Sequence, residues 1–272
     1  MRIPIASVAR TSAAPGAASA RDSTTPRMIR RIKQHFGRYW VEGQARSHDW
    51  ATQIIRAQAP KSLLDVGCGD GAKVLASVAT RPERLCGIEA APTQRRLAEQ
   101  RGLEVISTDL NGRWPYGDGE FDVVHAAYII EHLHNTRLFV SEAYRVLKPG
   151  GTFVVISENL CSLLNWGAMT LGYTPFTLVN CCGMYLGNPF ALYAGESYPE
   201  DLPLDDPSFA GATGHVRALS VPQARELFER IGFQTEASSI GVLPLPDRMS
   251  KLFEGLAPRR GHFLLVKGCK PK

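Results

Sequence analysis

The stretch that most restricts the fold of this chain is Leu63-Leu64-Asp65-Val66-Gly67-Cys68-Gly69-Asp70-Gly71, an apolar run ending in a polar hinge with glycines at alternate positions. A helix-compatible segment, Ala72 to Val78, follows directly. The order is strand, tight turn, helix N-terminus. Lacking a Cβ, glycine adopts positive φ and lets a ligand approach the backbone. The first amides of the following helix have no partner inside it. A nucleotide-like cofactor suits such a turn.

Two cofactor classes compete for it. Gly67-x-Gly69-x-x-Ala72 satisfies the relaxed dinucleotide fingerprint. Asp65, two residues before the first glycine, favours the other class, because its carboxylate repels a pyrophosphate and attracts the ammonium and sulfonium of S-adenosylmethionine. Asp70 adds to this expected preference for a cation.

Downstream, strand and helix patterns alternate. Arg84-Leu85-Cys86-Gly87-Ile88 runs into Glu89, placed where the acid after a second strand meets a ribose diol. Pro92 to Arg101 reads as a helix and Leu103 to Ile106 as a third strand. Asp109 and Leu110 then stand where a polar side chain meets an adenine amino group and an apolar one covers the ring; a helix cap or turn is the plainer role for Asp109. Phe121 to Ala127 is a buried-strand pattern, Thr136 to Leu147 a helix, and Lys148-Pro149-Gly150-Gly151 turns the chain into Thr152 to Ser157. Such alternation indicates an α/β fold with a doubly wound, Rossmann-like parallel sheet. Before all this, Ile29 to about Ala57 reads as one or two helices. Tyr39, Trp40, His48 and Trp50 there either pack on the sheet, the commoner use, or line a pocket.

Leu64-Asp65-Val66-Gly67-Cys68-Gly69, Glu89, Asp109-Leu110, Phe121-Asp122-Val123-Val124, Glu131-His132-Leu133 and Leu147-Lys148-Pro149-Gly150-Gly151, taken together, resemble class I S-adenosylmethionine-dependent methyltransferases over residues 60–158 and more weakly at the final strands. The resemblance implies a seven-stranded sheet whose last strand is antiparallel, with Gly232-Phe233 to Val242 and His262 to Val266 supplying the last two strands. It also implies that Asp65, Gly67 and Gly69 hold the methionyl end, Glu89 the ribose and Asp109 with Leu110 the adenine. Ala126, in the fourth strand, is counted with these cofactor-binding residues.

Between Ser157 and Val221 lie about sixty residues without a clear sheet pattern, too many for a plain connection. Since ligands of open α/β sheets bind beyond the carboxyl ends of the strands, residues 158–218 are expected to form an inserted lid or acceptor-binding segment; a packed subdomain or oligomer contact is the alternative. Ser157-Glu158-Asn159-Leu160, Gly187-Asn188-Pro189 and Gly214-His215-Val216-Arg217 also resemble, loosely, a subset of bacterial and archaeal methyltransferases linked to surface-glycan or secondary-metabolite pathways. That second resemblance implies a small-molecule or glycan acceptor.

A sulfonium methyl is already activated, so in-line positioning in a dry site does most of the work. A base matters for a hydroxyl acceptor. His132, after the fourth strand, and His215, closing the insertion, are the candidates, each with a structural hydrogen-bonding role as the alternative. Glu131-His132 also resembles part of a metal-binding segment of ubiquinone-pathway O-methyltransferases, but Tyr128 occupies the preceding acidic position, so no metal is expected.

The charge of +5 on 272 residues invites a nucleic-acid partner until it is located. Residues 1–38 carry eight Arg and Lys against Asp22, a net of +7, which leaves +5 minus +7, or −2, for residues 39–272. The folded body is not basic, and no Asn/Asp-Pro-Pro-Tyr/Phe motif is present, so nucleic acid is not expected as substrate. Residues 1–26, rich in Ala, Ser, Thr, Arg and Pro, read as a disordered tail; their Arg- and Ser-rich, acid-poor composition also allows an organellar transit peptide. The domain is then 27–272. No apolar run is long enough to offer a convincing membrane span. Six cysteines without a CxxC pair read as free thiols of a cytoplasmic protein, although adjacent Cys181 and Cys182 could form a redox pair.

The combined expectation is a methyltransferase, with a homodimer as its candidate assembly, that passes a methyl from S-adenosylmethionine to a hydroxyl of a small molecule or glycan. An NAD-dependent Rossmann oxidoreductase and a non-catalytic S-adenosylmethionine-binding protein are the alternatives.

Overall fold

The computed structural model describes residues 27–181, 184–190 and 214–272. The expected tail and Cys182 lie outside them. The first element is a single 32-residue helix, α1 (Arg27–Gln58). Then come β1 (Ser62–Val66), α2 (Ala72–Ser77), β2 (Arg84–Ile88), α3 (Pro92–Gln100), β3 (Glu104–Ile106) and β4 (Phe121–Ala127). A 3₁₀ turn, Ile130–His132, leads to α4 (Thr136–Val146) and β5 (Leu147–Glu158).

The region after β5 holds α5 (Leu163–Thr170), a 3₁₀ turn at Phe176–Leu178, and the two-residue strands β6 (Asn180–Cys181) and β7 (Met184–Tyr185). These pair with each other as a separate antiparallel hairpin. The chain ends with α6 (Val221–Ile231), β8 (Gln234–Ile240), α7 (Asp247–Leu256) and β9 (Phe263–Cys269).

Seven strands form one sheet in the order β3-β2-β1-β4-β5-β9-β8. The pairs among β1 to β5 are parallel, whereas β9 runs antiparallel to both β5 and β8. This is the expected Rossmann-like doubly wound sheet with its last strand antiparallel. Lys148 to Gly151 keep their turning role inside the long β5, since the pairing with β4 jumps from Phe121↔Leu147 to Val123↔Thr152.

Alternating side chains divide the core in two. Leu64, Val66, Val124, Phe153 and Val155 meet Phe139 and Val140 of α4 and Phe228 of α6 on one face. Leu63, Val123, Val154 and Ile156 meet Ile55 of α1, Val74 of α2 and Ala98 of α3 on the other. Burial on both faces is why the strands read as continuous apolar runs.

Two local devices place the loops. Asn135 caps α4 by accepting from the Leu138 amide at 3.1 Å, the short side chain replacing a missing intrahelical acceptor. Arg46 of α1 binds both carboxylate oxygens of Glu254 in α7, at 2.9 and 2.7 Å, and Asp247 at 3.0 Å. The bidentate geometry fixes the long first helix against the far end of the chain. Trp40 packs on Phe263 with ring centroids 6.0 Å apart, and Trp50 packs against the second core cluster. Both therefore serve helix-to-sheet packing.

Candidate active site

At the carboxyl end of β1 the backbone turns through Gly67 (φ 73°), Gly69 (φ 54°) and Gly71 (φ 76°), all in the left-handed region where a Cβ is costly. A Cβ on Gly67 would collide with the Ile129 side chain, whereas around the Cβ position of Gly69 there is open space. Gly67 is thus where the loop meets its wall. Gly69 is where it faces outward.

Asp65 is buried at 4 % exposure, and its carboxylate accepts a hydrogen bond from His125 Nδ1 at 2.7 Å. The two residues are register partners on β1 and β4. Glu89, just past β2, accepts from the Gly69 amide at 2.8 Å and the Ala91 amide at 2.9 Å. Burial pushes its carboxyl pKa up, and those two amides hold it down. The acid after β2 therefore fastens the glycine loop. Asp109 accepts from the Asn111 amide at 2.8 Å, an Asx turn that orients the loop after β3, and Leu110 packs on the core beside it.

Two of the expected residues have local partners. Asp70 accepts from the Ala72 amide at the start of α2 (3.1 Å) and pairs with Arg101 (2.9 Å). A short acid just before a helix is captured by the nearest free amide. Ala126, counted with the cofactor-binding residues, has no exposed surface, and its side chain lies inside the first core cluster. Alternation along β4 turns its side chain into the sheet's packed face.

Beyond β4 the chain builds a second group. Tyr128 takes a positive φ of 56°, uncommon for an aromatic residue, and shares a 2.8 Å hydrogen bond with Ser47 of α1. Glu131, 2 % exposed, accepts from Ser157 Oγ at 3.0 Å. His132 Nδ1 donates to the Gly214 carbonyl at 2.9 Å, and His215 Nδ1 donates to the Thr177 carbonyl at 2.9 Å. A carbonyl can only accept, so each Nδ1 carries a hydrogen. The two rings meet edge to face with centroids 4.8 Å apart, and burial lowers the His132 pKa to about 4.

The two histidines separated by the insertion are therefore neighbours. Sequence reasoning singled out both, and named Glu131, Tyr128 and Ser157 without their hydrogen-bond partners; Ser47 and His125 it missed.

Residues 64–155 match the family described as a methyltransferase domain. The chain carries a class I methyltransferase domain. It is 38 % identical over 107 residues to ajmaline N-methyltransferase of Rauvolfia serpentina, covering 36 % of each protein. It is 32 % identical over 100 residues to a sterol 4-C-methyltransferase of Caenorhabditis elegans, covering 34 % of this chain and 29 % of that one. Demethylmenaquinone methyltransferase of Tropheryma whipplei is 33 % identical over 108 residues, 39 % of this chain and 45 % of the relative. The chain thus spans less than half the length of these curated relatives. Among solved structures, the YcgJ protein of Bacillus subtilis superposes with a TM-score of 0.52 at 17 % identity over 84 % of this chain and 99 % of that one. The plantazolicin methyltransferase BamL gives 0.51 at 12 % identity over 90 % and 98 %.

A methyltransferase domain of this class takes S-adenosylmethionine, and the cradle here fits it. The open space over Gly69 admits a ligand against the backbone, and the acids Asp65 and Glu89 beside it suit a cationic group. The oxidoreductase alternative is set aside. Among the described residues no helix is long and apolar enough to cross a membrane, and Cys68, Cys86, Cys161, Cys181 and Cys269 are free thiols.

Proposed function

We propose that this chain transfers a methyl group from S-adenosylmethionine to a hydroxyl of a small-molecule or glycan acceptor, and that residues 158–218 form the acceptor side of the site. Bound S-adenosylmethionine supplies a methyl on a positively charged sulfur. Gly67 and Gly69 let the backbone approach the methionyl part, Asp65 attracts its ammonium, Glu89 takes the ribose hydroxyls, and Asp109 with Leu110 receives the adenine.

The observation that supports an oxygen acceptor is the pair of neighbouring imidazoles, His132 and His215, each with Nδ1 tied to a carbonyl, beyond the carboxyl end of β4. An imidazole whose Nδ1 is tied to a carbonyl can take a proton only at Nε2, and a hydroxyl is the acceptor that needs a base. Burial keeps His132 neutral by lowering its pKa to about 4.

The relatives named above act on nitrogen, carbon and a demethylmenaquinone by their names, so the acceptor atom is the point to test. Purified protein is incubated with methyl-labelled S-adenosylmethionine and fractionated extract, with Asp65→Ala as the blank. Label in a compound whose new bond is O–CH₃ is the expected result; N–CH₃ or C–CH₃ product overturns the hydroxyl assignment. His132→Ala should lower turnover while leaving cofactor affinity unchanged, and full activity in that variant removes His132 from the proton-accepting role.

A further inference from the structure

We propose that α7 and the loop after it dock on an anionic lipid surface, lying on the membrane rather than crossing it. α7 reverses the usual amphipathic arrangement. Met249, Leu252, Phe253 and Leu256 recur at the i, i+3, i+4, i+7 spacing of one helix face, and they are 49, 67, 40 and 75 % exposed. The inward side is polar. Ser250, which is buried, accepts from the Val242 amide at 2.8 Å, and Glu254 accepts from the Gly241 amide at 2.8 Å and binds Arg46 of α1. Hydrogen bonds and an ion pair fasten this helix to the body, while its apolar stripe is turned outward. Such a stripe marks a contact surface.

The charges around the stripe select the partner. Arg248 and Lys251 on α7, and Arg259 and Arg260 just beyond it, are exposed. Against them stand only Asp247 and Glu254, which leaves residues 247–260 with a net charge of +2. Both acids are already paired with Arg46, at 3.0 and 2.7 Å. α1, which brings Arg46 to this place, begins at Arg27 and has no acid before Glu42. An anionic surface complements this patch, whereas a second copy of the chain would set cations against cations.

A second outward stripe is tied to the first. At the start of α5 the Leu163 amide donates to the Arg260 carbonyl at 2.9 Å, and Asn159 Nδ2 donates to the Arg259 carbonyl at 2.9 Å. α5 repeats the reversal. Leu163, Trp166 and Met169 are exposed, while Asn165 is fully buried and donates to the carbonyls of Asn159 and Leu160. No residue from 159 to 195 is charged, and an exposed tryptophan suits the boundary between headgroups and acyl chains.

The position in the fold agrees. β9 runs antiparallel to β5 with Phe263 beside Glu158, so the segment before β9 and the segment after β5 both lie at the carboxyl ends of the parallel strands. That is the end at which open α/β sheets hold their ligands. An amphipathic helix of ten residues lies in a lipid interface without the length that a span requires.

The test is sedimentation of purified full-length protein with vesicles of phosphatidylcholine alone and of phosphatidylcholine mixed equally with phosphatidylglycerol. Expected is binding to the mixed vesicles, far weaker binding to the neutral ones, and release as salt is raised. Leu252→Glu with Leu256→Glu keeps every basic residue and should lower binding about tenfold or more, with an unchanged melting temperature because both side chains are exposed. Arg259→Glu with Arg260→Glu is the companion should that variant fail to fold, and should abolish the preference for the mixed vesicles. Wild-type protein left in the supernatant with both vesicles overturns the proposal. Undiminished binding by the leucine variant also overturns it, assigning the contact to the basic amino-terminal residues. So does a dimer in analytical ultracentrifugation that the leucine variant dissolves, since a second copy would then own the stripe.

Discussion

Asp65 and His125 face each other at 2.7 Å across β1 and β4, a buried acid–imidazole pair beneath the glycine loop. Each is about 6 % exposed at the side chain. Removing either leaves the other buried without its partner, which typically costs about 1–3 kcal/mol. Asp65→Ala and His125→Ala should each lower folding stability on that scale, and a double-mutant cycle in chemical denaturation should show coupling. Strict additivity would mean that the contact contributes nothing to the sheet.

Glu89 fastens the loop through the amides of Gly69 and Ala91. Glu89→Ala removes these anchors together with the acceptor proposed for the ribose hydroxyls. Calorimetric titration with S-adenosylhomocysteine should show affinity weaker by about 1–3 kcal/mol, the scale of losing a charged hydrogen bond. Unchanged affinity would separate Glu89 from the cofactor.

Gly67 and Gly69 share left-handed backbone but differ in their surroundings. Gly67→Ala adds a collision with Ile129 to backbone strain, while Gly69→Ala meets only strain. Thermal melting should therefore rank Gly67→Ala as the more destabilising, at about 2–4 kcal/mol against about 1 kcal/mol. For cofactor binding the order should be less unequal, since the space over Gly69 is the space a ligand would use.

His48 lies against Tyr128, accepts a 3.4 Å hydrogen bond from Lys73 Nζ, and has its pKa lowered to about 4, first by burial and then by Lys73 and His125. The folded state thus binds its proton less readily than the unfolded state, whose value is 6.5. Its stabilising contribution is complete above pH 6.5 and is lost as the pH falls from there towards about 4. His262, lowered to about 3 by burial, acts in the same direction. Melting temperatures should fall across this window, and His48→Gln should flatten the fall; a parallel curve in the variant would assign the effect elsewhere.

The fold was legible because its signals are local and repeated. Leu63 to Gly71, Arg84 to Glu89 and Phe121 to Ala127 each carry a buried strand and its exit turn within a few residues, and the order of such units dictates a doubly wound sheet. Of the candidate site, the sequence shows the positive-φ turn at Gly67 and Gly69 and the acid Glu89 that fastens it, because these follow that grammar. Asp70 is hard to read because an acid before a helix serves the helix's own amides as readily as a ligand. The β6–β7 hairpin has two residues per strand, too few for any period to show. Ser47 with Tyr128, and His215 with Glu131, are joined only by folding; no sequence spacing records them.

The insertion is held at its root by main-chain bonds. Asn159 and Leu160 amides donate to the carbonyls of His262 and Leu219, and the Val216 and Arg217 amides donate to Glu131. None of these bonds depends on which side chains lie between. The anchorage therefore works as a socket: whole segments can be exchanged between these fixed points, in evolution or in a chimaera, while the sheet keeps its shape.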